Sequence, residues 1–236
     1  MHIDLDNWYK PDLDRKELRK LSKRKNLPGL IHFGIYFISL FASGYLAYIT
    51  WGTWLSFFFF FIYGTIYSFS VSNWHETVHK TAFKTRWINE IFYHICSFMA
   101  DFEGFRWRWS HTFHHSYTLQ TKDDYDHEIQ ISRPTDLIAF FLNFIPFSDL
   151  LFLHRLIKYE VIKHAFGYFS PVVKISAPAK QKKKILWNSR LYLFIWISII
   201  ILSVYFETFL LILYFILPTY YGKPLWFLVN VTQHLG

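Results

Sequence analysis

Two short segments hold the side chains best able to do chemistry. "NWHETVHKTAFKT" (73–85) contains His75-Glu76-x-x-His79, and "SHTFHH" (110–115) contains His111, His114 and His115. Residues four apart share a helix face, so His75 and His79 present two imidazoles one turn apart. Offsets of 0, 3 and 4 fall within an arc of about 100°, which predicts that the second trio points one way as well. Neutral imidazole ligates zinc, iron and copper. Read alone, HExxH is the pattern of a zinc hydrolase, with Glu76 as the base that activates water. Such a site needs only three protein ligands and an open position. Five histidines in two helical sets overfill it and favour a pair of metals, with a membrane zinc protease as the alternative.

The elements that must position these residues are written in apolar runs. The 236-residue chain is 53% hydrophobic and 22% aromatic, with Phe 27, Tyr 16 and Trp 10. A soluble surface could hardly hide that load; lipid as the solvent removes the difficulty. Between Lys25 and Glu76 there is no Asp, Glu, Lys or Arg. One crossing of the hydrocarbon core takes about 20 residues, so this run predicts two spans, Leu30 to Ile49 and Thr53 to Ser72, turning at "TWGTW". From Leu191 the chain is apolar again, and a tight hairpin at Glu207 predicts two more spans, ending near Val229. The leader "DLDRKELRKLSKRK" reads as a cationic surface helix with Asp12 as a possible cap. Segments 91–100 and 136–154 are short or broken by Pro146 and Asp149, and read as helices at the interface or beneath the histidines.

The fold class expected is therefore all-α: a polytopic membrane protein of four transmembrane helices with a cytoplasmic histidine-rich helical cap. Residues 1–29 form a cationic cytoplasmic segment and residues 30–236 the membrane domain. The leader carries eight Lys or Arg and residues 73–190 carry sixteen, whereas the two turns on the other side carry none. Positive charge collects in the cytoplasm, and this distribution assigns the formal charge of +8 to membrane topology, with no nucleic-acid partner. "KQKKK" (180–184) is a solvated run or, beside a bilayer, a contact for lipid phosphates. Cys96 is the only cysteine, which excludes a disulfide framework and a Cys-based metal site and reads as a small buried hydrophobe. The N-terminus lacks the pattern of a cleaved signal peptide.

"HETVH" followed by "SHTFHH", with "FKT", "WRWSHTFHH" and "DDYDHEI" around them, resembles the integral-membrane fatty acid desaturases and related hydroxylases, from about Leu30 to Gly236. The resemblance implies oxygen-dependent desaturation of a fatty acyl chain at two iron ions. Hydroxylation of an alkyl, sterol or carotenoid substrate on the same architecture is the alternative, and a non-catalytic membrane protein with relic histidines a third reading. It implies His75, His79, His111, His114 and His115 as ligands. "NVTQHLG" is similar to the family's additional ligand segment, with His234 on iron and Asn230 in contact with the metal through water. The family's third HxxHH box, after the last span, is not found up to Gly236, so the sequence reads as C-terminally incomplete. The implied partners are a fatty acyl lipid or thioester substrate, dioxygen and membrane lipid, in a bacterial inner membrane or endoplasmic reticulum. The sequence has no haem motif, Cys-rich cluster motif or GxGxxG, which implies an external electron carrier, cytochrome b5-like or ferredoxin-like.

Among the remaining polar residues, Asp101, Glu103, Asp123, Asp124, Asp126 and Glu128 could orient ligand imidazoles but read mostly as a solvated acidic face. Lys80, Lys84, Arg86, Arg106 and Arg108 could dock an acidic carrier or a substrate head group, or merely follow the charge rule. "RWRW" (106–109) reads as an interfacial anchor. His32, His94, His154 and His164 read as structural, and His127 stands between the two readings.

Overall fold

The computed structural model describes residues 12, 14–116, 137–155 and 157–234. Among these the secondary structure is helical, without a strand. Helix α1 (Arg15–Leu21) is the cationic surface helix, and its cap is Asp14, whose carboxylate accepts from the Lys16 N–H at 2.8 Å. The expected cap, Asp12, is displaced by two residues because the helix starts at Arg15. Helix α2 (Leu27–Ile49) begins with Pro28 in its first turn, where a missing N–H costs nothing. It ends at Thr50, and Gly52 at φ 84° turns the chain. Helices α3 (Trp54–Ser68) and α4 (Ser70–Val78) follow as one apolar path broken at Phe69, whose N–H is shared between Thr65 O at 3.4 Å and Ile66 O at 3.1 Å.

A layer of shorter helices then forms beneath and beside the histidines. Helix α5 (Arg86–Met99) buries Asn89, Tyr93 and Cys96. Its start is tied to the start of α2 by Asn26, which donates to Thr85 Oγ1 at 2.8 Å and accepts from Thr85 N at 2.9 Å. Its middle is tied to α4 by Asn89, whose side-chain amide donates to Thr77 O at 2.6 Å. Asp101, at φ 62°, reverses the chain into α6 (Gly104–Ser116). Helices α7 (Leu137–Leu142), α8 (Ile157–Ala165) and α9 (Pro171–Ser176) complete the layer. Phe33, Trp74, Val78, Phe83, Tyr93, Cys96, Ala100 and Phe102 make its apolar core.

Helix α10 (Lys182–Tyr205) is the next long apolar helix, and the hairpin falls at Glu207 as predicted, with φ 49° there. Among the described residues, three helical stretches are long and apolar enough to cross a membrane: Leu27–Ile49, Trp54–Val78 and Ala179–Tyr205. Each leaves large apolar side chains uncovered, such as Phe41 (71% exposed), Phe57 (70%) and Phe194 (68%), as expected of a surface whose solvent is lipid. The expected fourth span is not one helix. It is divided into α11 (Leu210–Phe215) and α12 (Pro218–His234), because Pro218 lacks the N–H that would continue the ladder and Leu217 N reaches back five residues to Ile212 O at 3.0 Å. Helix α12 packs chiefly against α3. The approach is close: a Cβ added to Gly222 would lie 1.9 Å from the Gly64 carbonyl.

Candidate metal centre

The two histidine segments converge. His75 and the C-capping His79 extend from α4, and His111 and His115 from α6. One ligand atom from each of these four lies within 4.8 Å of the others. His79 Nε2 is 3.4 Å from His75 Nε2 and 3.0 Å from His111 Nε2, and His111 Nε2 is 3.1 Å from His115 Nε2. A tetrahedral metal with nitrogens at 2.0–2.1 Å sets its ligand atoms about 3.3 Å apart, so the spacing is that of a ligand shell. The chemistry of the donors agrees. Each neutral imidazole carries one N–H and one lone pair, and lone pairs gathered around one point are best satisfied by a cation between them. The residues therefore fit a metal ion.

His114 lies beside this quartet and not in it, its ring 5.9 Å from that of His111 and 5.3 Å from that of His115. The expectation of three co-directed imidazoles holds for two. Successive helical residues turn by about 100°, so when His111 and His115 share the α4-facing stripe, His114 is turned to its flank. Asn230 is half-buried on α12, one turn before His234, the last residue of that helix. The side chains of His154 and His234, together with His127, Asp123, Asp124, Asp126 and Glu128, lie outside the described residues.

The support beneath the quartet is aromatic. Trp74, adjacent to His75, sets its ring 5.1 Å from that of His111 and 4.8 Å from that of Phe102. Phe102 stacks on Trp107 at 3.8 Å and 12°. The "RWRW" segment is thus internal packing. Trp107 belongs to this floor, and Trp109 packs against the Val173–Ala177–Ile185 cluster.

Its arginines are engaged as well, which removes them from the expected docking set. Arg106 is 5% exposed, donates to Ser110 Oγ at 2.9 Å and pairs with Glu160 at 3.2 Å. Arg108 pairs with Glu90 at 2.7 Å and lies over the Tyr93 ring. Lys80, Lys84 and Arg86 remain exposed.

Asp101 and Glu103 are buried, contrary to the expected solvated face. Asp101 pairs with Lys158 and accepts from Thr219 Oγ1 at 3.2 Å. Glu103 caps α6, accepting from Arg106 N at 2.7 Å and Phe105 N at 3.2 Å, and also from the Asn188 amide. Burial pushes its carboxyl up to about 7, against the pull of those donors and of Arg106. Sequence reasoning missed this role; a carboxylate directly before an apolar-periodic segment was the available signal.

The other described histidines have structural partners. His32 Nε2 lies 2.7 Å from Asn73 Oδ1. His164 is buried, accepts from Ser170 N at 3.1 Å, and is held by burial at about 4. His94 packs beside Gly104, and burial lowers its pKa. Glu76 is exposed and accepts from Thr81 Oγ1 at 3.4 Å.

No curated protein and no solved structure matches the chain. Residues 52–236, which include both histidine segments, α10 and α12, match the family model described as fatty acid desaturase. With that match extending over most of its length and a four-histidine group at its centre, the chain belongs to the fatty acid desaturase family.

Proposed function

We propose that the protein carries out oxygen-dependent desaturation of a fatty acyl chain at a histidine-ligated pair of iron ions. The observation that carries this reading is the convergence of His75, His79, His111 and His115 from two helices at ligand spacing, in a member of this family. The quartet would hold one ion. A second would draw on His114 and on the end of α12, with His234 as ligand and Asn230 in contact through water. When bound, iron supplies the redox chemistry with dioxygen that an unactivated alkyl chain requires. Overall, two adjacent C–H bonds are lost and one C=C is formed, while O2, two electrons and two protons become two waters. The electrons come from an external carrier, cytochrome b5-like or ferredoxin-like.

This chain's own residues hold the geometry. The Trp74–Phe102–Trp107 floor keeps water from the lower side of the quartet, and the Glu103 cap with the Arg106–Glu160 pair fixes the helix bearing His111 and His115. In the membrane, α11 and α12 complete a bundle of four crossings with the histidines on the cytoplasmic side. The basic leader and the basic 73–190 region support that orientation. The acyl substrate, as a lipid or a thioester, reaches the site from the bilayer.

The test is expression of the full gene product in a host of defined lipid content, with metal per polypeptide and new double bonds measured together. Bound iron and a new alkene are expected; His111→Ala should abolish the alkene and lower the bound iron. An alcohol in place of the alkene would assign the hydroxylase reaction. Bound zinc, with activity lost in Glu76→Gln but kept in His114→Ala, would assign a protease and reject desaturation.

A further inference from the structure

Away from the histidines, α6 and the start of α10 enclose an open groove of about 550 Å³. Lys180, Lys183 and Lys184 stand at one end, and Trp187 and Leu191 continue along α10, with Phe105 of α6 as the opposite wall. All three lysines are exposed, and among the described residues none is ion-paired with a carboxylate. Among the described residues, Asn188 and the Phe105 N–H are the lining groups hydrogen-bonded to an acid, and that acid, Glu103, is buried and turned to the N–H groups it caps. Trp187 and Leu191 are 57% and 51% exposed.

The order along the helix carries the argument. Positions 183/184, 187 and 191 recur at helical spacing, so they form one stripe. It runs from cationic through indole to aliphatic, into a helix apolar enough to cross a membrane. An anionic lipid has the same gradation: a phosphate, an interfacial glycerol and an acyl chain. Lysines near a bilayer surface attract anionic lipid at about 1 kcal/mol each, and tryptophan favours the headgroup level. The start of α10 adds to the field, because Gln181 supplies no side-chain cap to its first N–H groups.

We infer that this groove is a binding site for an anionic glycerophospholipid of the bilayer, its phosphate among Lys180, Lys183 and Lys184 and its acyl chain along Trp187 and Leu191. It is separate from the quartet and does not depend on the proposed reaction.

Native mass spectrometry of the purified full-length chain would compare retention of phosphatidylglycerol and phosphatidylcholine with matched acyl chains. The wild type should retain the anionic lipid several-fold better. Lys180→Gln/Lys183→Gln/Lys184→Gln should remove that preference with no change in helicity, and Trp187→Ala should weaken retention of both lipids. The control Lys20→Gln/Lys23→Gln/Arg24→Gln removes the same charge from the leader and should leave the preference intact. An unchanged preference in the groove variant, or an equal loss in the leader control, would overturn the assignment. So would displacement of the lipid by inorganic phosphate or by a water-soluble acyl thioester at equal concentration, the latter marking a substrate site. Because the readout is retained lipid and not metal or product, failure of the iron reading leaves this test unaffected.

Discussion

His79 is the junction of the candidate centre. It caps α4, and its Nε2 lies within 3.4 Å of His75 on its own helix and 3.0 Å of His111 on the other. His111 is the one buried member of the quartet, held against Trp74, whereas His75, His79 and His115 are exposed. An ion there would be reached from the exposed side and backed by the aromatic floor. Removing His79 or His111 takes a ligand from the middle of the group, and removing His114 takes a ring from its flank. His79→Ala and His111→Ala should each weaken metal retention by at least about tenfold, a scale reached even when only a ligand's hydrogen-bond partner is changed. His114→Ala should leave an ion in the quartet in place and lower only the proposed second one. Metal per polypeptide after graded chelation measures this, and equal losses in all three variants would remove the distinction between quartet and flank.

Helix α6 transmits its anchoring to His111 and His115, and its anchors are buried charges. Glu103 fixes the first turn and Arg106 joins that turn to Glu160 of α8. The Glu103 carboxyl, raised by burial from its ordinary 4.5 to about 7, binds a proton in the folded protein that the unfolded chain releases. Its contribution is therefore full below about pH 4.5 and is lost as the pH rises to about 7. His164, lowered from 6.5 to about 4, acts the other way, and its contribution grows as the pH rises from about 4 to 6.5. Glu103→Gln keeps a capping oxygen and removes the first trend. The variant's unfolding temperature should then rise between pH 4.5 and 6.5 more steeply than the wild type's, and a parallel pair of curves would refute the assignment. The apolar elements were legible in the sequence because period and length decide them: the charge-free run, the "TWGTW" turn and the Glu207 hairpin all fall where expected. The buried charges were not. Arg106 and Glu160, or Asp101 and Lys158, are more than fifty residues apart, and a charged residue reads as solvated until its distant partner is known. Four members of the quartet were legible from spacing alone, while the flanking position of His114 required the relative rotation of two helices.

At the scale of the molecule, the centre depends on helices that meet only through tertiary packing. Helix α3 leads through the break at Phe69 into α4 and so carries His75 and His79, while α12 carries Asn230 and ends at His234. The two are joined where Gly64 faces Gly222. A Cβ at Gly222 would lie 1.9 Å from Gly64 backbone atoms, and one at Gly64 would lie 2.1 Å from the Tyr221 ring. Small residues at such a crossing let backbones approach closely in lipid, where packing replaces the hydrophobic effect as the force between helices. Overpacking a tight contact costs about 1–3 kcal/mol, so Gly222→Ala should lower the unfolding temperature, and Gly222→Leu should lower it further by forcing α12 off α3. The quartet contains no residue of α12, so an ion held there should remain, while the second ion proposed to draw on Asn230 and His234 should be lost. Gly222→Leu should therefore retain half of the wild-type iron. Gly34→Ala is the matched control, since an added Cβ there meets nothing within 4 Å; it should keep all the iron. Loss of all iron in Gly222→Leu would mean that α12 supports the first ion as well, and full retention would mean that the end of α12 holds none.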